Sequence, residues 1–400
     1  MPPSGQPPTR ARAASTPVET ATIARAAWPA IDTDTDTDTT TAAADCGEGE
    51  AASAASDEAE GEAGVPEEIE SRVATSSAAV VEPRYTLDLS DAELERRWRT
   101  AIESLGSISI GFADEGRLIN ARPFPRGSDE AWTLITPNES WGTTETIDYL
   151  LATADRVKRL HPTAQPLRVN NISAQDGGYL RPHRSHQTGR DVDLGFYYPT
   201  PMPRMIRERE QVIDIAPNWE LIKSLVMLTD VQLILVDQRV QRVLYDYALA
   251  IGEDPAWLDS LFRAGPASIV QHARRHRDHF HVRFYNPRAQ ELGRRVAPLL
   301  AERPEQNLVI VRVKQGDTLS GIAVKYQSSV RAIQKASRLR GTFLRLRQVL
   351  RVPIRGPCTR CPVPPPVIVP PRKVPPPLAM EPPILATTTS TRSESALAIE

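Results

Sequence analysis

Two stretches decide how this chain reads. The first is Arg181-Pro-His183-Arg-Ser-His186-Gln-Thr-Gly189-Arg-Asp191-Val-Asp193. The second, far downstream, is His276-Arg-Asp278-His279-Phe-His281-Val282. Six of the chain's seven histidines fall in these stretches or at nearby His272. Asp191 and Asp193 alternate around Val192, and His279 and His281 alternate around Phe280. In extended chain, residues two apart point to the same face. One strand therefore presents His279 and His281 together, and another presents Asp193 with Asp191 beside it. Gly189, between His186 and Asp193, allows a turn. Imidazole and carboxylate form a borderline-soft N/O ligand set that suits zinc. Three such ligands with a fourth position left to water is the layout of a catalytic site rather than a structural one. The spacing is compatible with His186, Asp193 and His281 meeting at one metal.

Outward from these stretches, helices and strands mix without regular β-α alternation, so the expected fold class is α+β. Ser90 reads as a helix N-cap with Glu93 as its capping-box partner, the helix running to about Ser104. Ser107 to Phe112 alternates like a strand. Helical spacing covers residues 142–160, 218–226 and 240–251. Leu167 to Ile172 is a short strand, Val231 to Asp237 a buried one, and the closing strand falls within 269–285.

The ends differ in composition. Residues 1–83 are acidic and poor in large apolar side chains. Asp32-Thr-Asp-Thr-Asp-Thr-Asp38 and Asp57-Glu-Ala-Glu-Gly-Glu62 cannot bury enough apolar surface to offset chain entropy, so a disordered acidic tail is expected there. Beyond about residue 300 the chain is basic and would tolerate an anionic polymer as partner. A Pro-rich stretch with Pro364-Pro-Pro and Pro375-Pro-Pro reads as a polyproline-II segment, and residues 355–400 as a disordered tail. The three cysteines are Cys46, Cys358 and Cys361, so residues 84–300 contain none; the lone Cys358-x-x-Cys361 pair is weak evidence for a metal site. No run reaches the ~18 apolar residues of a membrane span. Met1-Pro-Pro-Ser-Gly-Gln-Pro-Pro lacks the apolar core of a secretory signal, which leaves the export route open.

At the histidine motifs a resemblance becomes specific. His186-x6-Asp193 followed by His279-x-His281 resembles the LAS metallopeptidases, which include lysostaphin-type, D-Ala-D-Ala-cleaving and murein-cleaving zinc enzymes. The fuller wording, from His183 to Asp193 and from Asp278 to Arg283, resembles the penicillin-insensitive murein endopeptidases within that group. Gly142-Thr143, Asp176-Gly-Gly178 and residues 231–237 are similar to it as well. The segment before the second motif, Gln271-His-Ala-Arg-Arg-His-Arg-Asp278, lacks the Glu that several D-Ala-D-Ala-cleaving relatives use as base. This favours the murein endopeptidase branch.

The resemblance implies a zinc peptidase domain with a central antiparallel sheet over residues 84–300. It implies Zn2+ held by His186, Asp193 and His281, with His279 acting on the reaction as general acid or base and His183 and His276 as further active-site histidines. It implies attack of metal-bound water on an amide carbonyl, cleaving D-alanyl–diaminopimelyl cross-links. With no serine nucleophile, β-lactams that acylate serine should not inhibit. Asp191 either orients His186 or caps a turn; His161 and His272 read as structural or surface residues.

Val311-Arg-Val-Lys-Gln-Gly316-Asp317-Thr318-Leu319-Ser320-Gly-Ile322-Ala323 resembles the start of a LysM domain, a small βααβ module that binds N-acetylglucosamine-containing glycans. Asp317 or Thr318 caps its first helix. In its second half Ser337 stands where the family's usual Asn would be, and Leu350 to Pro353 reads as the closing strand. This LysM-like module, residues 309–354, is expected to act as a tether that concentrates the enzyme at the wall. The expected partner is peptidoglycan, not nucleic acid or membrane, and the expected location periplasmic or extracellular. The alternatives are a zinc D,D-carboxypeptidase on uncrosslinked stems and a non-catalytic wall-binding protein.

Overall fold

Alternation in the two motif strands organises a six-stranded sheet. The computed structural model describes residues 87–377 apart from 128–129, 202–205, 275, 304 and 357–362. The expected acidic tail and Cys46, Cys358 and Cys361 lie outside the described residues. The strands are β1 (Ile108–Gly111), β2 (Gly116–Ile119), β3 (Arg122–Pro123), β4 (Trp132–Leu134), β5 (Trp141–Gly142), β6 (Leu167–Val169), β7 (Asp191–Gly195), β8 (Val231–Val236), β9 (Val270–His272), β10 (His279–Phe284), β11 (Leu308–Arg312) and β12 (Val349–Pro353). The helices are α1 (Asp91–Thr100), α2 (Thr144–Leu160), α3 (Ile215–Leu228), α4 (Gln238–Ala250), α5 (Pro255–Phe262), α6 (Pro287–Val296), α7 (Leu319–Lys325) and α8 (Val330–Ala336).

The main sheet runs β4-β6-β7-β10-β8-β9. Its four central strands are antiparallel, as expected, while β4 and β9 join its edges in parallel. Val192, Leu194, Phe280, Val282 and Phe284 are wholly or almost wholly buried. Their alternation with Asp191, Asp193, His279, His281 and Arg283 sends the polar residues to the opposite face. The pairing His281 with Asp193 and Arg283 with Asp191 lays both motifs side by side.

A second core closes the domain at its ends. Trp98 and Leu94 of α1 pack with Ile108, Ile110, Leu292, Val296 and Leu300. The Trp98 indole N–H donates to the Leu299 carbonyl at 2.9 Å, and Arg303 donates to the Trp98 carbonyl at 2.8 Å. Ser90 caps α1 as expected, accepting from the Glu93 N–H at 3.2 Å. The Glu93 carboxylate, however, pairs with Arg96 and Arg97. Two nearby guanidiniums outcompete one main-chain donor for it. Helices α5 and α6 were not anticipated, although each begins with Pro at a favoured first position.

Residues 308–353 form the expected βααβ unit around Val311, Leu319, Ile322, Ile333, Leu350 and Val352. Of the two candidate caps, Thr318 holds the first helix by accepting from Gly321 N–H, while Asp317 accepts from Lys314 N–H. Ser337 bonds both the N–H and the carbonyl of Arg351, tying α8 to β12. This unit lies against the turn that leads to His183. Arg351 pairs with Asp176, Arg312 stacks 4.1 Å over the Tyr179 ring, and Ile310 fills the space over Gly178. The Pro-rich segment also differs from the expected disorder over residues 363–377. Val369 is buried, the Trp257 indole donates to the Lys373 carbonyl at 2.6 Å, and Arg372 pairs with Asp230 at 2.9 Å. An extended polyproline backbone leaves its carbonyls open, and here a tertiary donor meets one of them.

Trp98→Ala should cost about 3–5 kcal/mol of stability, read from the urea midpoint, because it empties a filled core and strands a carbonyl. A loss below about 1 kcal/mol would contradict the closing role of α1.

Candidate metal centre

His186 is fully buried and stands at φ 65°, a left-handed conformation that is uncommon and costly for a residue with a Cβ. Asp191 holds it there: the His186 main-chain N–H donates to Asp191 Oδ2 at 3.2 Å. Gly189, at φ 73°, turns the chain from the histidine into β7, and its carbonyl accepts from Thr143 N–H and the Thr146 hydroxyl at the start of α2. His186 Nδ1 lies 2.9 Å from the Ile172 carbonyl. A carbonyl can only accept, so Nδ1 carries the proton and the Nε2 lone pair faces inward.

Nε2 of His186, Oδ1 of Asp193 and Nδ1 of His281 converge. The separations are 3.2 Å between the two imidazole nitrogens, and 3.2 and 3.0 Å from His186 and His281 to the carboxylate oxygen. Such spacing is what donors adopt around one ion with bonds of about 2 Å. His183 borders the same point, with Nδ1 3.4 Å from Asp193 Oδ2. Among the described residues His183, His186 and Asp193 offer ligand atoms within 4.8 Å of one another. His281 Nδ1 lies nearer to His186 Nε2 and Asp193 Oδ1 than His183 Nδ1 does to Asp193 Oδ2. The far side of the His281 ring, Nε2, lies 3.4 Å from Asp191 Oδ1, which also accepts from Arg283 Nε at 2.6 Å.

The remaining motif histidines stand at the rim. His279 Nδ1 is 2.7 Å from Asp278 Oδ1, and its Nε2 is 3.7 Å from Asp193 Oδ1. The His276 ring lies 4.9 Å from that of His279, and its Nδ1 is 3.1 Å from the Arg274 carbonyl. The Asp237 main-chain N–H donates to the His276 carbonyl at 2.8 Å, anchoring this loop to the end of β8. His161 caps the end of α2, and His272 Nδ1 accepts from Gln238 N–H, both apart from this cluster.

The electrostatics favour a cation. Burial disfavours the charged form of Asp193, but His186, His281 and His279 outweigh it and hold the carboxyl well below its usual range. Asp191 is likewise held down, against burial, by Arg283 and His281. Burial opposes the His281 imidazolium, yet Asp191 and Asp193 push its pKa up to about 9. His279 is raised too, with burial opposing and Asp278 and Asp193 prevailing. His276 is lowered to about 4 by burial, then by His279 and His281. Two buried carboxylates thus hold cationic partners close, the Arg283 guanidinium on Asp191 and imidazolium on His281 and His279. A divalent cation could take the place of the imidazolium protons on donor atoms already aimed at one point, so the residues fit a metal ion.

Residues 109–303 match the family model described as penicillin-insensitive murein endopeptidase. The chain carries a murein endopeptidase domain. Residues 311–353 match the model of the LysM domain. No curated protein matches the chain. A peptidase with peptidoglycan as its partner follows from the two domains together. Among the described residues no helix is long and apolar enough to cross a membrane.

Sequence reasoning expected Asp191 to orient His186 or cap a turn. The structure has it hydrogen-bond His186 through the main-chain N–H and adds the His281 ring, while the Ile172 carbonyl serves the His186 ring. Arg283 was missed, although it follows His281 by two residues on the same strand face. Asp191→Asn should weaken metal affinity by about 10–100-fold, measured by competition with a chelator, because it loosens His281 and Arg283 together. Unchanged affinity would remove Asp191 from the positioning of the centre.

Proposed function

We propose that this protein is a zinc-dependent peptidoglycan hydrolase that cleaves D-alanyl–diaminopimelyl peptide cross-links at the cell wall, in the periplasm or outside the cell. His186, Asp193 and His281 are the zinc ligands, and His183, His276 and His279 complete the active site. Residues 84–300 form the catalytic domain, and residues 309–354 bind glycan. The observation that carries this proposal is the convergence of three donor atoms 3.0–3.2 Å apart, each on a side chain braced elsewhere, within a murein endopeptidase domain.

Bound there, zinc would polarise the scissile carbonyl and bring the pKa of a water down toward ~7. The chain's own residues do the rest. Asp191 and the Ile172 carbonyl fix the two imidazoles so that no ligand must reorient when substrate arrives. His279 has the arrangement of a proton carrier: Asp278 on Nδ1 stabilises its imidazolium, and Nε2 faces the reacting region. That nitrogen takes the proton of the attacking water and returns it to the leaving amine. His276 donates through Nδ1 to the Arg274 carbonyl, which leaves its Nε2 lone pair for a second hydrogen bond at the rim.

Digestion of purified cross-linked muropeptide dimers, read by mass spectrometry, tests this. The zinc-loaded protein should convert dimers to monomers, lose that ability in chelator, and regain it with zinc. His186→Ala should lose bound zinc and cleavage together. Full cleavage by metal-free protein would sink the zinc assignment. Persistent dimers with loss of D-alanine from monomers would make the protein a D,D-carboxypeptidase. No change in either, with zinc bound, would leave a non-catalytic wall-binding protein.

A further inference from the structure

A cavity of about 210 Å³ adjoins the metal centre, with Arg168, Gly195, Tyr198, Arg209 and Asp278 in its lining. Strand register places it. Val169 pairs with Leu194, so Arg168 of β6 stands beside Gly195 of β7, and Gly195 pairs with His279 of β10. Two residues along, in the next row of the same face, Asp193 pairs with His281. Rows two residues apart are separated by about 7 Å, so the cavity opens one row from the proposed zinc ligands. Gly195 makes the opening. A Cβ there would meet Arg168 Cβ at 3.0 Å and Cδ at 3.5 Å, because the Arg168 stem crosses the glycine.

The lining is positive. Arg168 and Arg209 contribute two guanidiniums, and Asp278 is the one carboxylate, already bonded to His279. Arg209 hydrogen-bonds the Tyr198 hydroxyl and attracts Asp278, so it is held in place at the cavity wall. Planar guanidiniums recognise carboxylates by paired, charge-assisted hydrogen bonds. The amide of the proposed reaction ends in a nitrogen whose carbon carries a free carboxylate. That holds for a diaminopimelyl amine and for a terminal D-alanine alike. We propose that this cavity binds the carboxylate on the amine side of the scissile bond through Arg168 and Arg209, and so sets which amides reach the metal. The substrate identity rests on the hydrolase proposed above; the cavity and its charge do not.

Calorimetric titration of the full-length zinc-loaded protein tests the cavity apart from catalysis. The probes are a muropeptide monomer with a free diaminopimelyl amine and adjacent carboxylate, and the same monomer with that carboxylate as a carboxamide. Wild type should bind the carboxylate form on the order of tenfold more tightly. Arg168→Gln, a change at an exposed side chain, should reduce the preference below about threefold while zinc content stays unchanged. Equal binding of the two probes by wild type, or a full preference retained in Arg168→Gln, would overturn the proposal. Carboxylate preference without dimer cleavage would uphold the cavity and remove the hydrolase. Dimer cleavage without the preference would do the reverse.

Discussion

The register between β7 and β10 is the constraint on which the rest depends. With His281 opposite Asp193, Arg283 falls opposite Asp191 and His279 opposite Gly195. A slip of one residue would send every one of these side chains into the apolar layer and bring Phe280 and Val282 out of it. The buried apolar residues of both strands therefore enforce the polar face they never touch. Core packing in this region is also positioning.

That polar face is expensive to bury, and the structure offsets the cost by linking its members. Asp191 serves His186, His281 and Arg283 at once. The Ile172 carbonyl takes the outer proton of His186. The left-handed backbone at His186 is tolerated because Asp191 and the Gly189 turn hold both sides of it. The turn at 176–179, a few residues upstream, bears the LysM unit. The LysM unit and the histidine motif are thus joined through one short segment.

Much of this was legible in the sequence, for a physical reason. Period-two alternation in Asp191-Val-Asp193 and His279-Phe-His281 reports strand faces directly, and the same rule would have included Arg283. The LysM unit was legible because its cap, turn and core residues lie close together in the chain. What escaped depends on the fold. The Ile172 carbonyl is a main-chain atom with no sequence signature. Arg168 and Arg209 reach the cavity from segments outside both motifs, so only strand register and loop packing bring them there. The Pro-rich segment looks unpartnered in composition, yet Trp257, distant in sequence, donates to the residue 373 carbonyl. Glu93 had the spacing of a capping box, but the choice between its cap and two arginines is made by geometry.

A crystal structure of the protein grown with zinc, phased at the zinc absorption edge, tests the central claim most directly. The account predicts one anomalous peak within about 2.0–2.2 Å of His186 Nε2, Asp193 and His281 Nδ1, with His281 Nε2 still turned to Asp191. A peak held by His183 in place of His281, or no peak among these residues, would contradict it.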